Sequence, residues 1–405
     1  MYLTHLSLTN FRTFKRLEID VPSHVTLMVG DNAQGKTSFL EAVFFFSALT
    51  SVQSGRDREL INFEALSDDI PVARLVMDFM RQGKIHKMEV RLIIGNGGNG
   101  NGRLRKEVLI DDIKRPLQQA LGNFNSVIFL PQMTDIIEDG PDVRRRYLDM
   151  TISQVYPGYA RELSRYNQTI SQRNALLKNL AEHGGDMQQL DFWDERVADK
   201  GSFVMRTRMQ MLKEFERAAS QVHLGLSGQC SGLQIEYQPG FNIFQKLQNQ
   251  RSLDLSSAER WQYAAIEQDE LQRLFMEELK RMRPEEIRRG VTTIGPHRDE
   301  LRFIANEVDA GTYGSRGQIR TVMMALKLGE LHWLHEKTGE YPVLLLDETM
   351  AELDLGHRDA LLDALEECEQ AILTTTDASM FKTEFLSKCA LMQVHEGRIQ
   401  LRNEI

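Results

Sequence analysis

The segment Gly30-Asp31-Asn32-Ala33-Gln34-Gly35-Lys36-Thr37-Ser38 fits the pattern G-x-x-x-x-G-K-[ST], and its flanks constrain the fold more than the pattern does. Val25 to Val29 is a short apolar, β-rich run that reads as a buried parallel strand, and Lys36 to Ala48 is apolar and helix-tolerant. A strand that turns into a helix over glycines points successive N–H groups at an anion, and the helix adds its positive end. Lys36 is then expected to reach the β- and γ-phosphates of a nucleotide and Thr37 to ligate Mg²⁺, with Asp31 to Gln34 and Ser38 lining the cradle. An ordinary glycine turn with a chance lysine is the competing reading, and it leaves the flanks unexplained.

Far downstream, Val343 to Leu346 is an aliphatic run that reads as a strand buried on both faces, delivering Asp347 and Glu348 at its C-terminal end. Asp347 is expected on the Mg²⁺ side, and Glu348 is placed to orient or deprotonate the water that attacks the γ-phosphate. Between these motifs, Ser315-Arg316-Gly317-Gln318 opens a long helical pattern from Ile319 to Leu334. One phosphate is already held by Lys36, so Ser315 and Gly317 are expected to serve the nucleotide of a second copy, giving a head-to-tail pair. A serine helix cap beside a closely packed glycine is the alternative.

In this order the motifs, with Ala351-Glu352-Leu353-Asp354 after them, resemble the ATP-binding-cassette (ABC) heads of the SMC and Rad50 group. Leu8-Thr9-Asn10-Phe11-Arg12, Gly35-Lys36-Thr37 with Leu40-Glu41-Ala42, Ser54 to Ile61, Arg144 to Asp149, Gln172 to Lys178 and Gly295-Pro296-His297-Arg298-Asp299 narrow the resemblance to the RecF family of recombination mediators. It runs from Met1 to about Asp377, nearly the whole chain. The resemblance implies an α/β fold, with an ABC-type P-loop ATPase head on a mixed sheet and a mainly helical inserted lobe. It also implies weak, DNA-dependent ATP hydrolysis, an ATP-dependent homodimer on duplex and gapped DNA, and work with RecO and RecR in loading RecA. Asp354 and the family positions Arg12 and Arg56 come near nucleotide on this reading; both arginines fit a structural ion pair equally well.

Three departures from the family pattern matter. Asp347-Glu348 stands where two aspartates are usual, so the expected base is longer by one methylene. Pro131-Gln132-Met133 follows the strand Ser126 to Leu130 where Pro-Glu-Asp is usual, and Gln132 resembles the γ-phosphate and Mg²⁺ sensor of transporter cassettes. Thr376 occupies the place of a transporter's switch histidine, and a threonine cannot relay charge as imidazole does, so slow turnover is expected.

The net charge of −9 over 405 residues does not exclude a polyanion partner, because affinity for phosphates follows local lysines and arginines. Candidate DNA contacts are Arg103, Arg105, Lys106, Lys114 and Arg115; Arg144, Arg145 and Arg146; and Arg165, Arg173 and Lys178, each cluster also readable as a solvated face. No sequence-reading DNA motif accompanies them, so binding should be sequence-independent and salt-sensitive. Cys230, Cys368 and Cys389 lack metal-ligand spacing, and with no 18-residue apolar run and no signal-peptide pattern the expected location is cytoplasmic, without a membrane partner.

Residues 1–142 and 286–405 are expected to form the head and 143–285 the helical lobe, which is too short and too interrupted for a long coiled coil. Gly184-Gly185 should separate two long helices, Leu233 to Tyr237 should be a short strand, and strands should return at Val291 to Ile294 and Leu301 to Ile304. Gly95 to Gly102 reads as a hairpin tip, and Gly295 to Asp299 as a rigid turn whose arginine faces a partner or DNA, since no nucleophile motif accompanies His297 and Asp299.

Overall fold

The computed structural model describes residues 1–53, 56–95, 102–228, 231–241, 243, 261 and 264–402, so most of the glycine-rich run, Ser54-Gly55 and Cys230 lie outside the described residues. The chain divides into two compact units: Met1–Thr134, Gly225–Ser227 and Met323–Ile405 form one, and Asp135–Leu224 with Gly228–Val322 form the other.

The first unit holds two six-stranded sheets. One is antiparallel throughout and contains Tyr2–Phe11, Phe14–Asp20, Val72–Arg81, Lys84–Ile94, Leu104–Ile110 and Ile113–Arg115. Leu3, Leu6, Leu8 and Phe11 of its first strand are buried, and a bulge between Leu3 and His5 accounts for the three-residue step from Leu3 to Leu6.

The other sheet runs Arg398–Arg402, Ala390–His395, His24–Val29, Gln370–Thr375, Val343–Asp347 and Ser126–Phe129, parallel except for its first strand. Every residue of its last three strands is buried, as in a parallel sheet covered on both faces. Its register sets Thr374 beside Asp347 and Thr375 beside Val29, so the strand ends that bear Gly30, Asp347 and Thr374 coincide at one edge. The helix Lys36–Ala48 leaves that edge, as the sequence predicts.

The second unit contains the helices Pro141–Val155, Pro157–His183, Leu190–Ser227 up to Leu224, and Gln268–Arg289, and a three-stranded antiparallel sheet of Val308–Asp309, Glu300–Ala305 and Gln234–Gln238. The pairing of Glu300–Ala305 with Gln234–Gln238 draws the residues after 285 into this unit, so the boundary lies at 322/323 rather than 285/286, and the earlier one at 134/135 rather than 142/143. Val291 to Ile294 is not a strand. Val291 N–H bonds the Glu286 carbonyl, Thr292 N–H the Asn174 side chain and Thr293 N–H the Glu286 side chain, which leaves this segment no ladder.

Candidate functional site

The glycine loop in the first unit has the backbone its pattern requires. Gly35 has φ +112°, and a Cβ there would meet Thr13 Oγ1 at 3.1 Å. At Gly30 a Cβ would collide with the Val394 carbonyl. Ala33 also lies in the left-handed region, at φ +63°. Lys36 is 4% exposed; its ammonium donates to the Gly30 carbonyl at 2.5 Å and the Asp31 carbonyl at 3.0 Å, and pairs with Glu348 Oε1 at 3.0 Å. All three of its donors are directed at oxygen.

The acidic strand end completes the site. Thr37 Oγ1 donates to Asp347 Oδ2 at 2.7 Å, and Thr374 Oγ1 donates to Asp347 Oδ1 at 2.7 Å. Burial pushes the Asp347 carboxyl above its ordinary range and the neighbouring Glu348 charge adds to this, against the two hydroxyls that stabilise the anion. A hard divalent cation fits this hydroxyl–carboxylate pair, since it would relieve both the desolvation and the like charge. Glu348 sits in the left-handed region at φ +49°, its N–H held by Thr374 Oγ1 at 3.1 Å and its side chain 37% exposed. Glu348 is thus within reach of solvent while one of its oxygens pairs with Lys36.

Thr374, which sequence reasoning passed over for Thr376, is the threonine that touches the acidic pair. Thr376 lies past the strand end and is exposed. Gln132 is exposed in the turn Pro131–Thr134, following a strand that runs parallel beside Val343–Asp347, so it leaves the sheet in the same direction as Asp347. Asp354 is exposed and caps the helix Leu355–Glu367 by accepting the His357 N–H at 3.1 Å. Arg12 donates to both carboxylate oxygens of buried Glu41 on the loop helix, at 2.7 and 3.0 Å, which is the structural reading of that residue; Arg56 is exposed.

Ser315 to Gln318 lies in the second unit, all four residues exposed. Ser315 and Gln318 form a reciprocal capping box: the Gln318 N–H reaches Ser315 Oγ at 3.3 Å and the Ser315 N–H reaches Gln318 Oε1 at 2.8 Å. The cap shapes a helix start that remains open to solvent, so the capping role and an anion-facing role share the same residues.

The basic candidates divide. Lys106 donates to the Leu49 carbonyl at 2.6 Å and pairs with Asp57 at 2.5 Å. Arg144 grips both oxygens of Glu300, and Arg145 is tied to Asp142 and the Asp299 carbonyl. Arg173 is fully buried between Asp194 and Glu286. Arg173, enclosed by the protein, corrects the expectation of a DNA contact there, whereas Lys106, Arg144 and Arg145 are partly exposed and carry carboxylate partners within the chain. Arg103, Arg115 and Lys178 are exposed, Arg105 and Lys114 are exposed while both pairing with Glu107 at 3.0 and 2.7 Å, Arg165 pairs with Glu162 at 3.0 Å while staying 56% exposed, and Arg146 is half-buried.

The turn Gly295 to Asp299 is rigid for a reason the sequence did not disclose. His297 Nε2 faces the Thr292 carbonyl at 3.1 Å and so carries the proton, leaving Nδ1 to accept the Tyr166 hydroxyl at 2.6 Å; burial pushes this imidazole down to about 4. Asp299 is buried against Arg208. Arg298 alone of this turn's charged residues is exposed.

A family model described as the RecF/RecN/SMC N terminal domain matches residues 2–400. The chain is 35% identical over 408 residues to the DNA replication and repair protein RecF of Herpetosiphon aurantiacus, covering 98% of this chain and 99% of that one. It is 36% identical over 409 residues to the protein of the same name from Roseiflexus castenholzii, covering 98% and 99%. A solved structure of the recombination mediator protein RecF-ATP in the RecFOR pathway matches with a TM-score of 0.81 at 28% identity, over 99% of this chain and 97% of that one. Among the described residues no helix is long and apolar enough to cross a membrane.

Proposed function

The chain belongs to the RecF family within the RecF/RecN/SMC group, and from that premise we propose that it is an ATP-dependent DNA-binding protein of recombinational repair, in which ATP closes a head-to-tail pair of copies on DNA. The observation that carries this reading is the convergence of Lys36, Thr37, Asp347, Glu348 and Thr374 at one edge of the parallel sheet. Lys36 and the loop amides bind the phosphates. Thr37 and Asp347 would hold Mg²⁺, which would neutralise phosphate charge when bound. Glu348 orients the attacking water and takes its proton. Ser315 and Gly317, exposed at a helix start, meet the γ-phosphate held by the second copy. Hydrolysis removes that contact and reopens the pair. With RecO and RecR, the closed pair helps RecA load at gaps, as the family implies.

Glu348→Gln is expected to lower ATP turnover by about 10²-fold, the scale of a positioned proton acceptor, while lengthening the life of the ATP-bound dimer. Phosphate release together with light scattering checks both, and unchanged turnover removes Glu348 as the base. Ser315→Arg should bind ATP with unaltered affinity yet stay monomeric with a non-hydrolysable analogue, because its bulk and charge block only the surface offered to a partner. A normal dimer in that variant would end the trans assignment.

The internal pairing of Lys106, Arg144 and Arg145 favours a second reading, an ATP-gated scaffold with no direct DNA role. Fluorescence anisotropy with duplex and gapped DNA, with and without ATP at two salt concentrations, separates the two. Nucleotide-dependent, salt-sensitive binding supports the proposal; DNA affinity indifferent to ATP supports the scaffold.

A further inference from the structure

The phosphate loop is gripped from the side by the turn between the last two strands. His395 pairs with Arg398, so Glu396 and Gly397 form a two-residue turn, with φ of +48° and +72°. Both turn amides donate to one residue of the loop. Glu396 N–H reaches Gln34 Oε1 at 2.6 Å, and Gly397 N–H reaches the Gln34 carbonyl at 3.1 Å. The strand leading into this turn, Ala390–His395, lies parallel beside His24–Val29, the strand that delivers the loop, and its Val394 carbonyl closes over Gly30. The hairpin thus follows the loop from Gly30 to Gln34.

Gln34 stands between the two loop residues with left-handed backbones, Ala33 at +63° and Gly35 at +112°. Ala33 carries a Cβ and adopts this conformation at a cost, and such strain persists only where the surroundings over-determine it. The two hydrogen bonds at Gln34 supply that constraint on the neighbouring residue.

We infer that the Glu396–Gly397 turn belongs to the nucleotide site through Gln34, holding the loop in its phosphate-ready shape before ligand arrives. Gln34 is on this account a positioning residue, its side chain spent on the turn rather than on phosphate. The inference rests on the reading that the loop binds ATP.

The test uses the full chain and a fluorescent ATP analogue, with amide hydrogen exchange on the nucleotide-free protein. Gln34→Ala should bind the analogue about tenfold more weakly, as the loss of one backbone-to-side-chain hydrogen bond at a strained site implies, and should speed exchange at Glu396. Adding Ala33→Gly removes the strain and should restore most of the affinity without restoring the Glu396 protection. The inference is overturned by Gln34→Ala binding as tightly as the parent, or by Ala33→Gly failing to rescue, which would make Gln34 a direct ligand. Gly397→Ala, strained at its positive φ, should weaken binding from outside the loop, and parental affinity in this variant counts against the inference. Lys36→Ala is the control for the underlying reading: parental affinity there removes ATP binding at this loop, whereas its loss beside a normal Gln34→Ala removes only the role of the hairpin.

Discussion

Lys36→Ala is expected to cost at least about 10²-fold in ATP affinity and to abolish ATP-dependent dimerisation. The ammonium is buried at the loop, held by two carbonyls and a carboxylate, and exchanges some of these partners for phosphate oxygens when nucleotide binds. Charge-assisted hydrogen bonds to two phosphates contribute roughly 1.5–3 kcal/mol each, and 1.4 kcal/mol is tenfold. Alanine also leaves Glu348 without its cation at the place where the phosphates arrive, adding like-charge repulsion to the lost attraction. Titration with a fluorescent ATP analogue measures the effect, and circular dichroism with a thermal melt establishes that the chain is still folded after the Gly30 and Asp31 carbonyls lose their donor. An affinity within about threefold of the parent would mean that the loop is not the phosphate site, since even one lost charged hydrogen bond exceeds that.

The parts of this site legible in the sequence are those fixed by short-range pattern. The helix Lys36–Ala48 and the strand Val343–Asp347 follow from runs of apolar residues with glycine or carboxylate punctuation, and both lie where those runs predict. Thr374 was illegible for a different reason. Three consecutive threonines are equivalent until the parallel register sets one of them beside Asp347. The clamp on Gln34 depends on a turn more than 350 positions away, and nothing local marks it. Internally paired arginines misled most: Arg144, Arg145 and the buried Arg173 sit in polar helices among other charges, where sequence offers a solvated face, yet carboxylate or carbonyl partners at Glu300, Asp299 and Glu286 come from segments over 100 residues away. The same long-range pairing moved the boundary of the second unit, because a strand at Gln234–Gln238 finds its partner only after the helix Gln268–Arg289.

Arg208 shows what such buried charges do, and its removal should be the most destabilising single change in the second unit. Its guanidinium donates to Asp149 Oδ1 at 2.8 Å, Tyr159 at 3.0 Å, the Pro296 carbonyl at 2.6 Å and Asp299 Oδ2 at 2.7 Å, tying three helices to the turn Gly295 to Asp299. Asp299 takes further donors from Tyr237 and from the Gly240 N–H at 2.8 Å. Arg208→Ala leaves the buried Asp299 carboxylate without its cation and opens a cavity, which costs about 3–5 kcal/mol, or roughly 6–20 °C in Tm for a unit of this size. The pH dependence carries the cause. Burial already pushes the Asp299 carboxyl above its ordinary range, and without Arg208 it rises further, so the folded variant binds this proton more tightly than the unfolded chain does. Its stability is then greatest at low pH and is lost as pH rises through the folded value, so the gap between variant and parent should narrow as pH falls from 7 toward about 4, the unfolded aspartate range. Adding Asp299→Asn to Arg208→Ala should likewise flatten the pH dependence, because the group that titrates is gone. Urea unfolding at several pH values measures both; a deficit that stays constant with pH would assign the loss to packing alone and leave Asp299 without the charge pairing described here.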